Sequence, residues 1–313
     1  MDYGKLILVG LLQAALIMLA APLLDGISRR LRARIHSRRG CSIFQTYYDL
    51  FKFLKREETV PPQASWVFTA TPYILVATLL LLAMIIPSIT LMSPLGLVGD
   101  LFAVIYLMAL VRFFFSLSGL DSGSTFAAAG SSREMMLAVL IEPAMVVVLL
   151  TLALLAGSTN LGSISVQVAS GQISFLHPAF IIGLLAFFIA TVVETGKLPF
   201  DLAEAEEELQ EGPLTEYSRR GMALMKLALL MKQVIVVALF LALFLPFGGA
   251  VDITSGSLIL GSIIFLGKLL VFYTLAALIE NAVARFRITD VTVITSLSFG
   301  IALISFVFYL ALS

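Results

Sequence analysis

Carboxylates crowd one stretch of this chain to a density that calls for a chemical explanation. Residues 194–217 read ETGKLPFDLAEAEEELQEGPLTEY. Gly196 and Pro199 end the apolar run before it. Asp201 stands where it can cap a new helix, with Glu204 at capping-box spacing, and Gly212-Pro213 stops that helix. On such a helix Glu204, Glu208 and Glu211 share one face and Glu206 points roughly the other way. Like charges at helical spacing repel by a few tenths of a kcal/mol each. The segment must therefore meet basic partners, hold protons or face water. From this stretch alone a solvated acidic face, with Asp201 and Glu204 as caps, stays open beside a functional reading.

Charges inside apolar runs add to the case. Glu142 lies about 12 Å into its run at 1.5 Å per residue, and Glu134 opens the same helix on roughly the same face. Lys268 falls near the middle of another run, Glu280 ends that run, and Arg112 lies near the inner end of a third. A charge at a transmembrane helix centre costs at least about 2.5–3.5 kcal/mol. Glu142 and Lys268 need partners, water or a neutral protonation state, whereas Arg112 is near enough to an end to snorkel. Burial pushes Glu up and Lys down towards neutral pH, so carboxylates at the surface followed by Glu142 and Lys268 have the composition of a proton path. Buried structural ion pairs are the competing reading.

The elements that position these residues are membrane spans. The 313 residues are 60% hydrophobic and 13% charged, with mean hydropathy +1.04, against about 45–50% and 25% for a soluble domain. That excludes soluble enzymes, nucleic-acid binders and disordered proteins. Eight runs read as spans of an all-α integral membrane protein: 6–24, 67–91, 101–117, 135–156, 178–193, 234–247, 258–279 and 291–312. The runs are continuous rather than alternating, which excludes a transmembrane barrel. The first is too long for a cleaved signal peptide, and its basic residues follow it. No internal repeat supports an inverted-repeat transporter. With Cys41 the single cysteine and two histidines, the chain lacks a cysteine framework for an iron–sulfur cluster or structural zinc.

Lys and Arg set the orientation. They fill the loops after spans 1, 3, 5 and 7 and are missing from the alternate loops near 92–100, 157–177 and 248–257. The basic loops are expected in the cytoplasm and both termini on the other side. Two cytoplasmic segments, 25–66 and 194–232, are long enough to carry function, and the whole of 1–313 reads as one polytopic domain. In the first, Phe44, Tyr47, Tyr48, Phe51 and Leu54 recur at helical spacing. That predicts an amphipathic helix lying on the membrane or packed beneath a partner subunit.

The acidic run resembles the signature of the membrane subunit 1 family of respiratory complex I, whose pattern is E-T-N-R-x-P-F-D-L-x-E-x-E-x-E-L with E-Y downstream. The resemblance covers nearly the whole chain. Arg38-Arg39-Gly40 followed by Asp49 and Lys52 looks like the family's early segment, and Ser131-Ser132-Arg133-Glu134 like its acidic span start. Lys268 is similar to its buried lysine, and Arg285-Phe286-Arg287 with Asp290 to its late R-F-R-Y-D segment. Gly196-Lys197 departs from Asn-Arg, Cys41 from proline, and Arg219-Arg220 from glycine. Glu280-Asn281 stands where the quinone enzymes read W-x-R. The Glu142-Pro143 pair, the tract 203–217 and RFFFSLSGLDSGSTF at 112–126 look most like the membrane subunit of formate hydrogenlyase-type, group 4 NiFe hydrogenases.

The resemblance implies a non-catalytic subunit that docks a peripheral redox arm, with hydrogenase large and small subunits, an iron–sulfur subunit and an antiporter-like membrane subunit as partners. Iron–sulfur clusters and a NiFe centre are then expected in those partners and no cofactor or metal in this chain. The expected proton path comprises Glu134, Glu142, Glu194, Asp201, Glu204, Glu206, Glu208, Glu211, Lys268 and Glu280. Arg38, Arg39, Asp49, Arg112, Arg285 and Arg287 are expected as docking or charge partners, and the basic run 29–39 near the acidic helix or a partner's acidic surface. The alternative is the quinone-chamber subunit of an NADH:quinone oxidoreductase. A free-standing transporter is a weaker reading, and deep Glu142 and Lys268 argue against a purely structural anchor.

Overall fold

The computed structural model describes residues 3–55, 57, 59–96, 98–202 and 206–312, apart from the side chains of residues 3, 206 and 207. Its elements are helices: α1 (Tyr3–Ile35), α2 (Gln45–Leu54), α3 (Trp66–Ile85), α4 (Leu101–Asp121), α5 (Thr125–Ala156), α6 (Leu161–Ala169), α7 (Pro178–Glu194), α8 (Glu206–Leu209), α9 (Arg219–Phe244), α10 (Ser255–Ala282) and α11 (Ile288–Leu312). Seven of them, α1, α3, α4, α5, α9, α10 and α11, are long and apolar enough to cross a membrane, and α7 is a shorter apolar helix. The chain is a multi-pass membrane protein. Among the described residues there is no strand, only isolated bridges at Thr90–Ala250 and Asp100–Asn160 that knit the loops opposite the long ones.

α9 is the axis of the bundle. Val234 to Phe244 are buried without interruption, as expected of a helix that is apolar all round. α3, α1, α2 and α7 pack on it, while α5, α7 and α11 form a second group. Aromatic contacts between Phe187, Phe188, Phe240, Phe244 and Phe272 join α7, α9 and α10. Lipid is as apolar as a leucine side chain, so close packing and polar bonds must hold such helices together. Gln13 of α1 donates to the Ala83 carbonyl of α3 at 2.6 Å. Ser298 and Ser305 of α11 donate to the Ala186 and Ala179 carbonyls of α7 at 3.0 and 2.7 Å.

Several boundaries differ from the sequence expectation, each for a physical reason. α1 does not stop near residue 24. It runs on as a helix of about 50 Å, so Arg29, Arg30, Arg32 and Arg34 are helical rather than loop residues. The return segment packs back onto it at Gly26, where a Cβ would overlap the Ile43 carbonyl oxygen. α3 ends at Ile85 rather than 91. α5 begins at Thr125, so Glu134 lies inside the helix and does not open it. α9 begins at Arg219, which draws Lys226 and Lys232 out of the expected loop 194–232 and into the bundle. In the acidic segment, among the described residues, α8 covers Glu206–Leu209. Gln210 adopts φ 57° and Gly212 φ 53° before a 3₁₀ turn at Gly212–Leu214. Glu208 and Glu211 therefore do not share one continuous helix face.

α2 is the amphipathic helix expected near 44–54. Its Thr46 donates to Asp25 at 2.9 Å, and the Tyr47 hydroxyl donates to the Leu19 carbonyl of α1. Those anchors leave Phe44, Tyr48, Phe51 and Leu54 exposed along the opposite stripe.

Candidate functional site: a charge cluster inside the bundle

Four helices bring five charged side chains into one cluster. Arg112 of α4 forms ion pairs through Nη1 with Glu142 and through Nη2 with Glu194, and its Nε lies 4.0 Å from Glu134. Lys232 of α9 completes the cluster, with Nζ 3.0 Å from Glu134 and 3.1 Å from Glu194. Two cations thus bridge three carboxylates. The Arg112 and Glu194 side chains are only 6% and 4% exposed, whereas Glu142 is 39% exposed at the edge. The planar guanidinium of Arg112 presents its N–H groups in a fixed fork to separate acids, whereas Lys232 reaches two of the same acids from a single nitrogen. The cluster therefore satisfies its charges internally and extends from a sealed centre at Glu194 to an open rim at Glu142. A small cavity of about 50 Å³ lies against Arg112, Glu134, Glu194 and Lys232. That is room for water, which needs about 10–15 Å³ and polar partners. Carboxylates joined by cations and water are the composition through which protons move.

Towards the long loops, three described carboxylates of the acidic segment pair with cations of this chain. Arg285 Nη2 lies 2.6 Å from Asp201, Arg133 Nη1 2.7 Å from Glu208, and Lys226 Nζ 3.0 Å from Glu211. The capping box expected of Asp201 and Glu204 falls partly outside the described residues, as do Glu204 itself and the side chain of Glu206. A cavity of about 390 Å³ lies beside this segment, lined among others by Asp25, Asp49, Lys52, Glu211, Lys226 and Gln233.

A second charge group forms where the ends of α1 and α10 meet. Arg32 Nε is 3.2 Å from Glu280, Arg29 Nε is 2.9 Å from Asp25, and the Lys197 ammonium stands 4.1 Å over the Tyr273 ring. Burial pushes the Lys197 amine below the usual lysine range, opposed by the Glu280 and Asp25 carboxylates. Glu280 therefore belongs here and not with Arg112. The basic run also departs from expectation, because Arg29 and Arg32 turn to Asp25 and Glu280 rather than to the acidic segment. Arg34, Arg38, Arg39 and Arg287 are exposed, and Asp49 accepts from Gln45 at 2.9 Å.

Lys268 stands apart. Its ammonium donates to the Leu245 carbonyl at 2.5 Å and to the Phe247 carbonyl. Leu245 caps α9 about 20 Å along the helix from Lys232 at 1.5 Å per residue. The expected single path does not gather Lys268 with Glu142 and Glu194.

Sequence reasoning missed Lys232, Asp25, Lys197 and Gln233. Lys232 had a readable signal: it lies close before the first expected apolar residue of α9 with no helix breaker between. Asp25 and Lys197 carried none, since only the meeting of α1, α2 and α10 explains them.

A polytopic helical bundle with paired acids and bases sealed at its centre is the class that fold and site define. The chain belongs to the NADH dehydrogenase family, whose model matches residues 7–310. It is 47% identical over 307 residues to hydrogenase-4 component C of Escherichia coli, covering 98% of this chain and 97% of that one. It is 45% identical over 305 residues to formate hydrogenlyase subunit 4 of the same organism, covering 97% and 99%. Against a subunit of the NADH-quinone oxidoreductase of Salinibacter ruber the identity is 32% over 217 residues, covering 64% of this chain and 61% of that one. In fold it is similar to a chain of the membrane-bound sulfane sulfur reductase, an archaeal respiratory membrane complex. That match has TM-score 0.84 at 23% identity and covers 97% and 99% of the two chains.

Proposed function

We propose that this chain is the membrane-anchoring and ion-coupling subunit of a multisubunit membrane-bound hydrogenase of the formate hydrogenlyase type. The observation that carries the reading is similarity along almost the full length, at 47% and 45%, to hydrogenase-4 component C and formate hydrogenlyase subunit 4. In this reading the chain sits in the cytoplasmic membrane with its basic loops inside and both termini outside. The loops around α2 and α8 receive the peripheral arm. Hydrogenase large and small subunits and an iron–sulfur subunit make up that arm, and an antiporter-like subunit lies alongside in the bilayer. The iron–sulfur clusters and NiFe centre belong to those partners.

The work assigned to this chain is proton handling. Exposed Arg38 and Arg39 and the Phe44–Tyr48–Phe51 stripe offer a docking face beside the cavity of about 390 Å³. Behind it, Glu134, Glu194 and Glu142 form an acid series held by Arg112 and Lys232. Protonation of any one carboxylate loosens its pair with a cation, so charge movement in the cluster is coupled to helix contacts.

A second reading, a quinone chamber, is supported by the size of the same cavity, which falls within the roughly 300–1,000 Å³ of small-molecule sites. Purification in mild detergent with identification of the co-purifying chains separates the two, together with a test for quinone reduction. Co-purifying hydrogenase subunits and quinone-independent dihydrogen evolution are expected. Glu194→Gln keeps shape and removes the titrating proton. It is expected to leave assembly intact while slowing turnover or altering its pH dependence. Unchanged turnover and ion movement in assembled Glu194→Gln would reject proton handling by this cluster.

A further inference from the structure

The small cavity at the Arg112 cluster and the large cavity beside the acidic segment are lined by two of the same residues, Leu229 and Gln233 of α9. The helix period explains the arrangement. Lys226, Leu229, Leu230 and Gln233 recur at three- and four-residue spacing and present one face to the large cavity, while Lys232, one position away, is turned about 100° towards the cluster. One apolar side chain and one amide thus border both cavities.

The amide is the odd member. Gln233 Oε1 is sealed from solvent and accepts no hydrogen bond from the described residues. A buried amide oxygen left without a partner keeps the full desolvation penalty of a polar group. An apolar residue would fill this position beside Leu229 and Leu230 without that penalty. Both cavities have room for water, at about 50 and 390 Å³, and an amide has donors and an acceptor to offer to water on both sides. We infer that Gln233 is a polar junction: its side chain carries the hydrogen-bonded connection between water in the large cavity and the buried Arg112–Lys232–carboxylate cluster. It is a positioning residue that holds water, and it does not itself titrate. The inference rests on the proposed proton handling by that cluster and names its point of entry.

The test uses the assembled complex. Gln233→Leu removes the amide at nearly constant volume, and Gln233→Glu keeps its shape and an oxygen that accepts from water while exchanging the amide donors for a second acceptor. Gln233→Leu is expected to assemble and to lower dihydrogen evolution about tenfold, less than the roughly 10²–10⁴-fold of a group that itself transfers the proton, and Gln233→Glu to restore most of it. A loss of packing would lower the melting midpoint of the assembled Gln233→Leu complex, which is expected to match the parent's. Glu194→Gln is measured in parallel. If Glu194→Gln slows turnover and Gln233→Leu does not, the junction is wrong and proton handling stands. If neither slows turnover, both fall. Should Gln233→Leu fail to assemble, accessibility decides. Cys41 is the chain's single cysteine, so Cys41→Ser gives a cysteine-free background. Gln233→Cys in that background is expected to react with a small neutral thiol reagent at a rate comparable to Asp49→Cys in the same large cavity. An unreactive Gln233→Cys beside a reactive Asp49→Cys would overturn the inference.

Discussion

Arg112 and Lys268 are both cations in apolar helices, and the bundle accommodates them in opposite ways. Arg112 is surrounded by side chains from three other helices and is shared among three carboxylates with the help of Lys232. Lys268 meets no carboxylate among the described residues. It spends its ammonium donors on two backbone carbonyls where α9 ends, the position where a helix leaves carbonyls unpaired and its dipole favours a positive charge. The first arrangement contains groups able to gain and lose protons next to room for water. The second contains fixed dipoles and completes a helix end. A charge deep in a membrane protein therefore marks a need for compensation, and only the identity of the compensating group separates chemistry from architecture.

The largest effect is expected from Arg112→Leu. It leaves three carboxylates to a single lysine, and breaking a buried pair costs about 3–5 kcal/mol. Loss of the chain from the purified complex, or a strongly lowered melting midpoint, is expected. A variant that assembles and melts as the parent does would dissolve the contrast with Lys268. Lys232→Leu comes next. Glu134 and Glu194 then share Arg112 without a second cation, and the melting midpoint of the assembled variant is expected to fall, by less than in Arg112→Leu, because one cation of the buried cluster remains. A midpoint equal to the parent's would remove Lys232 from the cluster.

Lys268→Met is expected to be milder and different in kind. Hydrogen bonds to a charged group contribute about 1.5–3 kcal/mol, so the melting midpoint should fall while turnover per assembled complex stays at the parent level. A turnover loss matching that of Glu194→Gln would return Lys268 to the proton path.

The smallest effect concerns Lys197. Burial lowers its folded-state affinity for a proton below that of the unfolded chain. Its contribution to stability is therefore fully present above the ordinary lysine value of 10.5 and is lost as pH falls through the depressed value. Melting midpoints of the parent relative to Lys197→Met should rise as pH is raised from neutrality towards 10.5. A difference that does not change with pH would place Lys197 in water.

The carboxylates at 134, 142 and 194 were readable because a charge in an apolar run is costly wherever it stands. Lys232 was passed over, because a lysine near the edge of an apolar run reads as loop until the helix is seen to continue beneath it, although no helix breaker separates it from that run. Glu208 and Glu211 show the reverse error. Their spacing suits one helix face, but Gln210 and Gly212 turn the backbone left-handed between or beside them, and Arg133 and Lys226 hold them separately.

The amino-acid sequence by itself determined that this protein lives in a membrane, that it is helical, and that a few ionisable residues must find compensation there. Hydrophobic run length and charge cost are local properties, and local properties survive without coordinates. The tertiary structure decided which cation compensates which acid, because pairing depends on how α4, α5, α7 and α9 face one another. It also decided that α1 and α9 extend past their apolar runs. Several of the residues that extend them are charged, and side chains on other elements meet three of them: Arg32 at Glu280, Lys226 at Glu211 and Lys232 between Glu134 and Glu194.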